Sequence, residues 1–139
     1  MNQSSQKQTL AIAQIATGIG IVIFWLLFFT VGMAPASPAP CYFPFEHSFP
    51  PPDAILAGAL VASGVNSLND GTWGRGLSLA CAGGLLFLGL IDFSFAAQNG
   101  GFSGPTVEVL QSGIISLWCV GLGVWIIAVL GRQERSAPE

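Results

Sequence analysis

The chain has 139 residues, of which 52% are hydrophobic and only 8% are charged. A soluble domain carries about 25% charged residues, so this composition is typical of a chain that folds in lipid. Four basic residues and a net charge of −3 exclude an extended phosphate-binding surface, and with it a nucleic-acid partner. The three cysteines show no CxxC spacing, which argues against a disulfide or metal framework. The first partner that the composition predicts is therefore the lipid bilayer.

The first apolar run covers about residues 10–33 and contains no charged residue. At about 1.5 Å per residue, this run is long enough to cross a hydrocarbon core of about 30 Å. Lys7 before it and the Ala34-Pro35-Ala36 triplet after it also fit a signal peptide. The run is longer than the roughly 7–15 apolar residues of such a peptide, however. We therefore predict a retained membrane helix, preceded by a short frayed tail.

A proline-rich outer loop, residues 34–52, follows the first span. Pro35, Pro38 and Pro40 disfavour a regular helix because proline lacks the backbone donor and restricts φ. The prolines at 50–52 suit the first turn of a new helix, where those donors would be unpaired anyway. Asp53 then lies in that first turn, where a carboxylate is favoured by free N–H groups. The predicted second span covers about residues 53–68 and is short for a membrane helix.

Two glycine-rich turns separate the remaining spans. Residues 69–75 include an Asp-Gly pair, a strong turn signal, and the third span is predicted at about 76–97. Residues 98–104 form the second turn, and Pro105 opens a fourth span at about 106–131. The predicted fold is an all-α membrane protein, a single four-helix domain over residues 1–139 arranged as an antiparallel bundle.

The basic residues set the predicted topology. In a four-span chain, Lys7, Arg75, Arg132 and Arg135 all lie on one side of the membrane. The connections on the opposite side, residues 34–52 and 98–105, contain no lysine or arginine. Because short cytoplasmic segments are enriched in basic residues, we expect a multi-pass cell-membrane protein with both termini in the cytoplasm.

Small residues recur at four-residue spacing in each of the first three spans. Such rows let two helix backbones approach closely, which matters in lipid because apolar burial does not by itself drive helix association. We expect them to pack within the bundle, and the alternative is a docking face for another subunit. The rows are Ala16 and Gly20, then Ala54, Gly58 and Ala62, then Gly76, Ala80 and Gly84.

The predicted topology also places several titratable side chains at the outer end of the bundle, where no basic residue neutralises them. These candidate ligand-binding residues are Glu46, His47, Asp53, Asp92 and Glu108, with Gln111 extending a polar stripe inward along the fourth span. Each has a structural explanation too. Asp53 and Glu108 suit helix N-termini, Glu46 and His47 are ordinary loop residues, and Asp92 can anchor the outer loop by a hydrogen bond. Asp92 points most to function, because a carboxylate in the C-terminal half of a membrane helix is unfavourable.

Catalytic signatures are absent from the sequence. It contains no HExxH, GxSxG, P-loop or GxGxxG motif, and no catalytic residue, metal ligand or cofactor is predicted. One alternative is nevertheless a membrane enzyme that uses His47 with Glu46 or Asp92 as an acid–base pair.

Two segments, Phe43–Ala54 and Phe87–Gly100, resemble small four-span bacterial integral membrane proteins of unknown function. The resemblance covers most of the chain, rests on unspecific motifs and implies no activity. From the residues we predict a non-catalytic accessory or scaffold subunit of a larger membrane complex, or a homo-oligomer. A second hypothesis is an outward-facing binding or transport protein for a cation, an amine or a lipid-like ligand at the acidic cluster.

Overall fold

A computed structural model of the chain describes residues 3–35, 37–102 and 106–135, without the side chains of residues 3, 106–108, 111, 112 and 133–135. The elements in this described part are all helices. They are α1 (Gln3–Val31), α2 (Tyr42–Glu46), α3 (Pro50–Leu68), α4 (Gly74–Gln98) and α5 (Thr106–Arg135).

Three of these helices are long and apolar enough to cross a membrane: Ser4–Val31 in α1, Gly74–Gln98 in α4 and Gly113–Arg132 in α5. This confirms an all-helical fold with three candidate membrane-spanning helices. The helix α3 does not reach the same standard by length and composition, because its first turn is built from prolines and an aspartate. Within the expected tail, residues 3–9 are helical, so α1 begins well before the apolar run and the frayed tail predicted there is wrong.

Local sequence explains where the helices begin and end. Gly32 has a φ of 77°, a left-handed conformation that terminates α1 directly after Val31. The prolines at 50–52 occupy the first turn of α3, as expected from their missing backbone donors. Asp70, at a φ of 54°, makes the tight turn that ends α3. The predicted outer loop is not wholly irregular, since it contains the single helical turn of α2.

The chain divides into two compact units, Met1–Ser78 and Leu79–Glu139. In the first unit, α1 and α3 pack antiparallel. A Cβ at Gly18 would lie 2.7 Å from the Ala57 carbonyl oxygen, and one at Gly64 would lie 2.7 Å from the Ala11 carbonyl oxygen. Glycine is required at both contacts because the opposing atom belongs to the backbone and has no rotamer to change.

In the second unit, α4 and α5 also approach each other closely at glycines. A Cβ at Gly89 would lie 2.6 Å from the Ser116 carbonyl oxygen, and one at Gly123 would lie 2.9 Å from the Ala82 carbonyl oxygen. The later residue on α4, Gly89, thus pairs with the earlier residue on α5, Ser116, and the helices α4 and α5 are antiparallel. In each unit, one glycine from each helix makes the close approach.

The small-residue rows predicted from four-residue spacing are not the residues that make these contacts. Ala16, Gly20, Ala54 and Gly58 are exposed, and a Cβ at Gly20 or Gly58 would meet nothing within 4 Å. The expectation that these rows pack within the bundle is therefore wrong for the row on α1 and for Ala54 and Gly58 on α3. The physical reason is the phase of the rows around each helix. On α3 the buried Ala57, Leu60 and Gly64 are centred roughly 110° around the helix axis from Ala54 and Gly58.

Candidate functional site

The contact between α1 and α3 carries three polar layers, one near each end and one between them. At the start of α1, Lys7 Nζ donates to Asp70 Oδ1 at 2.6 Å across the turn after α3. This hydrogen bond and the positive charge of Lys7 hold the pKa of the Asp70 carboxyl below its usual value. Asp70 is exposed, so solvent screens the pair and its main effect is to fix the turn against α1.

The middle layer is a buried hydrogen-bond cluster, defined as Gln14, Ser63 and Ser78. The hydroxyls of Ser63 on α3 and Ser78 in the first turns of α4 both donate to Gln14 Oε1, the latter at 3.1 Å. All three residues are buried. Ser63 Oγ also lies 3.1 Å from the Leu60 carbonyl oxygen, so its proton has a second acceptor one turn earlier. One amide oxygen thus ties three helices together in the first unit.

The third layer lies near the C-terminal end of α1. Trp25 Nε1 donates to Asp53 Oδ2 at 2.9 Å, and both residues are buried. The distance along α1 from Lys7 to Trp25 is about 27 Å, nearly a full hydrocarbon thickness. The indole N–H satisfies one carboxylate oxygen and joins the first turn of α3 to α1.

An aromatic cluster surrounds this hydrogen bond. The Trp25 ring stacks on Phe29 with a centroid distance of 5.6 Å and meets Phe28 edge-on at 5.2 Å. The ring of His47 lies 5.8 Å from Phe29 and 5.9 Å from Phe43. His47 at the end of α2 thus contacts aromatic rings on one side and is exposed overall.

The six residues predicted as a ligand site have different placements. In the first unit, the Asp53 side chain contacts Trp25, the His47 ring contacts phenylalanines, and Glu46 is half-buried on α2. In the second unit, Asp92 is half-buried, about 9 Å from the C-terminal end of α4 by helical rise. Glu108 and Gln111 lie on α5, but their side chains are outside the described part of the structure.

Over the described residues, no group of three or more His, Cys, Asp or Glu side chains is arranged to hold a metal ion. No disulfide joins the described cysteines, of which Cys41 is exposed and Cys81 and Cys119 are buried.

Sequence reasoning missed the residues of the buried cluster. Gln14 is a single amide within an otherwise apolar run, and such a residue in a membrane helix signals an interhelical hydrogen bond. Its partners lie 49 and 64 residues away along the chain, and nothing in the local pattern identifies them. Trp25 was missed as the partner of Asp53 for the same reason.

A further surface is defined by exposed residues on one side of α3: Ala54, Ile55, Gly58, Ala62 and Val65, here called the α3 outer face. Ile55 is 75% exposed and Val65 is 45% exposed, Ala54 and Gly58 are exposed, and Ala62 is half-buried. The face combines three small residues at four-residue spacing with two branched side chains at its edges. This is the composition of a close helix–helix contact in membranes.

Comparison of the chain with protein families, with curated proteins and with solved structures finds no match in any of the three.

Proposed function

We propose that this protein is a non-catalytic membrane subunit that binds a transmembrane helix of a partner through its α3 outer face. The observation that carries the proposal is that some small residues pack between helices of the chain and others do not. Gly18 and Gly64 make the close approaches between α1 and α3, whereas Gly58 has nothing within 4 Å of a Cβ built on it. Within the first unit, the contact between α1 and α3 does not use Ala54 or Gly58, and this supports a contact of the outer face with another helix.

This proposal includes a fourth membrane span. Asp53 in the first turn of α3 contacts Trp25, and Asp70 directly after α3 contacts Lys7, so α3 runs beside about 27 Å of α1. If α1 crosses the bilayer, α3 crosses with it, and pairing with α1 covers the polar groups that lower its hydropathy. With four spans, the basic residues favour cytoplasmic termini.

The test is native mass spectrometry of the protein extracted from its own membranes in mild detergent. We expect an assembly heavier than one copy of the chain, and its mass distinguishes a second copy from a different subunit. The Gly58→Leu variant places a bulky side chain on the outer face and is expected to release the free chain. Gly121→Leu is the matched control, because Gly121 is an exposed glycine on α5 with nothing within 4 Å of its Cβ position.

Two outcomes would contradict the proposal. One is a wild-type protein that is present only as a single free copy. The other is an assembly that survives Gly58→Leu as well as it survives Gly121→Leu, since the outer face would then not contribute to it.

The second candidate function is binding of a cation or an amine at Asp53. It is favoured by one observation, a carboxylate buried beside aromatic rings in a part of the chain without lysine or arginine. Aromatic faces and a carboxylate together are suited to an ammonium group. The hydrogen bond from Trp25 gives Asp53 a structural role as well, and for that reason we rank this function second.

A further inference from the structure

The segment of residues 41–49, here called the aromatic segment, connects the proline-rich part of the outer loop to α3. It contains Tyr42, Phe43, Phe45 and Phe49 in addition to His47, and it has no lysine or arginine. Phe49 is buried, whereas 44% of the Phe43 surface is exposed. The segment has a large apolar area, and Glu46 is its one acidic residue.

Ring contacts determine where the aromatic segment lies relative to α1. The His47 ring is 6.3 Å from the Phe28 ring and 5.8 Å from the Phe29 ring. These phenylalanines precede the end of α1 at Val31 by two and three residues. The segment therefore folds back beside the last turn of α1 and does not extend away from its end.

Several backbone amides of the segment donate hydrogen bonds to carbonyl oxygens of the same segment. The amide of Phe45 donates to the Cys41 carbonyl at 3.0 Å, that of His47 to Phe43 at 2.9 Å and that of Phe49 to Glu46 at 3.1 Å. Internal hydrogen bonding removes most of the cost of bringing backbone groups out of bulk water. Aromatic rings also prefer the membrane–water boundary, where an apolar body meets a polar environment.

We propose that the aromatic segment lies in the plane of the membrane interface at the C-terminal end of α1, with Phe43 inserted among lipid acyl chains. It acts as an in-plane anchor that holds the start of α3, and hence Asp53, at a fixed depth. The proposal rests on α1 crossing the bilayer and is independent of the partner proposed for the α3 outer face. The attraction is apolar, because the segment offers no positive charge to anionic lipids.

The experiment measures the depth of nitroxide labels on the full chain in phosphatidylcholine vesicles, from their collisions with oxygen and with a water-soluble nickel chelate. The label is placed at Phe43→Cys in a Cys41→Ser background, and the two other cysteines are buried. Ser4→Cys, exposed in the polar first turn of α1, is the aqueous control. Ile19→Cys, at a half-exposed position in the middle of α1, reports whether α1 crosses the bilayer.

We expect the label at residue 43 to lie about 5–10 Å below the headgroup boundary and to collide more with oxygen than with nickel. The Ser4 label should show the reverse preference, and the Ile19 label should be the deepest. If the label at residue 43 is as accessible to nickel as the Ser4 label while the Ile19 label is deep, the proposed interfacial anchor is contradicted. The crossing of the bilayer by α1 is then still supported. A water-accessible Ile19 label would overturn the premise itself.

A second measurement tests the apolar character of the anchor. Vesicles that include phosphatidylglycerol should insert residue 43 no deeper than phosphatidylcholine alone, because the segment has no basic side chain to attract negative lipid and Glu46 is acidic. Insertion that occurs only with the anionic lipid would contradict an aromatic anchor.

Discussion

Replacing Gly64 by alanine tests the contact between α1 and α3 at its closest point. The added Cβ would lie 2.7 Å from the Ala11 carbonyl oxygen and 2.7 Å from Ile15 Cγ1. Ile15 can adopt another rotamer, but the carbonyl oxygen is part of the α1 backbone, so the two helices must separate by several tenths of an ångström. Such overpacking costs about 1–3 kcal/mol. The gain in helix propensity from glycine to alanine offsets about 0.5–1 kcal/mol of this cost.

We therefore expect Gly64→Ala to lower the free energy of unfolding by about 0.5–2 kcal/mol. Gly58→Ala on the same helix is the matched control, because a Cβ there meets nothing within 4 Å. It should raise the free energy of unfolding by about 0.5–1 kcal/mol. The two variants make the same chemical change on one helix, so an opposite sign isolates the effect of the contact.

The assay is equilibrium unfolding of the purified free chain in mixed micelles of mild detergent and dodecyl sulfate, followed by tryptophan fluorescence. Trp25 is buried against α3 and reports the separation of the two helices. Equal or greater stability of Gly64→Ala would refute the close approach. A Gly58→Ala variant destabilised as much as Gly64→Ala would refute the distinction between packed and outward-facing glycines.

Three further predictions concern the polar layers. Gln14→Leu removes the acceptor of two buried serine hydroxyls and should cost about 0.6–1.7 kcal/mol in the same unfolding assay, so an unchanged stability would contradict the cluster. Asp53→Ala leaves the Trp25 indole N–H without its acceptor and should cost about 1–3 kcal/mol, whereas Asp53→Asn keeps an acceptor and should cost less. Equal losses would argue that the charge of Asp53 matters, as the cation-binding alternative requires. Asp70→Asn removes the ion pair with Lys7. Because the pKa of Asp70 is lowered in the folded protein, the pair stabilises above the usual aspartate pKa and is lost as pH falls through the folded value. The wild type should therefore exceed Asp70→Asn in thermal stability at neutral pH and match it in strong acid, and a pH-independent difference would contradict the ion pair.

The candidate site illustrates where reasoning from sequence stops. In the predicted bundle no basic residue lies on the same side as the six candidate residues, Glu46, His47, Asp53, Asp92, Glu108 and Gln111. The distribution of charge predicts the depth of these side chains but not their contacts. In the folded first unit, Asp53 contacts an indole and His47 contacts phenyl rings. The positions of the charged residues in the sequence do not predict these contacts with aromatic side chains.

Local chemistry by itself determined the long apolar spans and the start of α3. Long uncharged runs predict spans and proline predicts the first turn of α3, because each effect acts within one or two helical turns. The helical residues before the apolar run, the end of α1 at Val31 and the turn of α2 came only from the structure. Tertiary structure alone decided which small residues pack. Gly18 and Gly64 face backbone atoms of the partner helix, whereas Gly58 faces outward, although all three are glycines in apolar helices. The roles of the three glycines depend on the rotation and register of α3 against α1. That rotation and register are set in part by contacts between residues distant in sequence, such as Gln14 and Ser63.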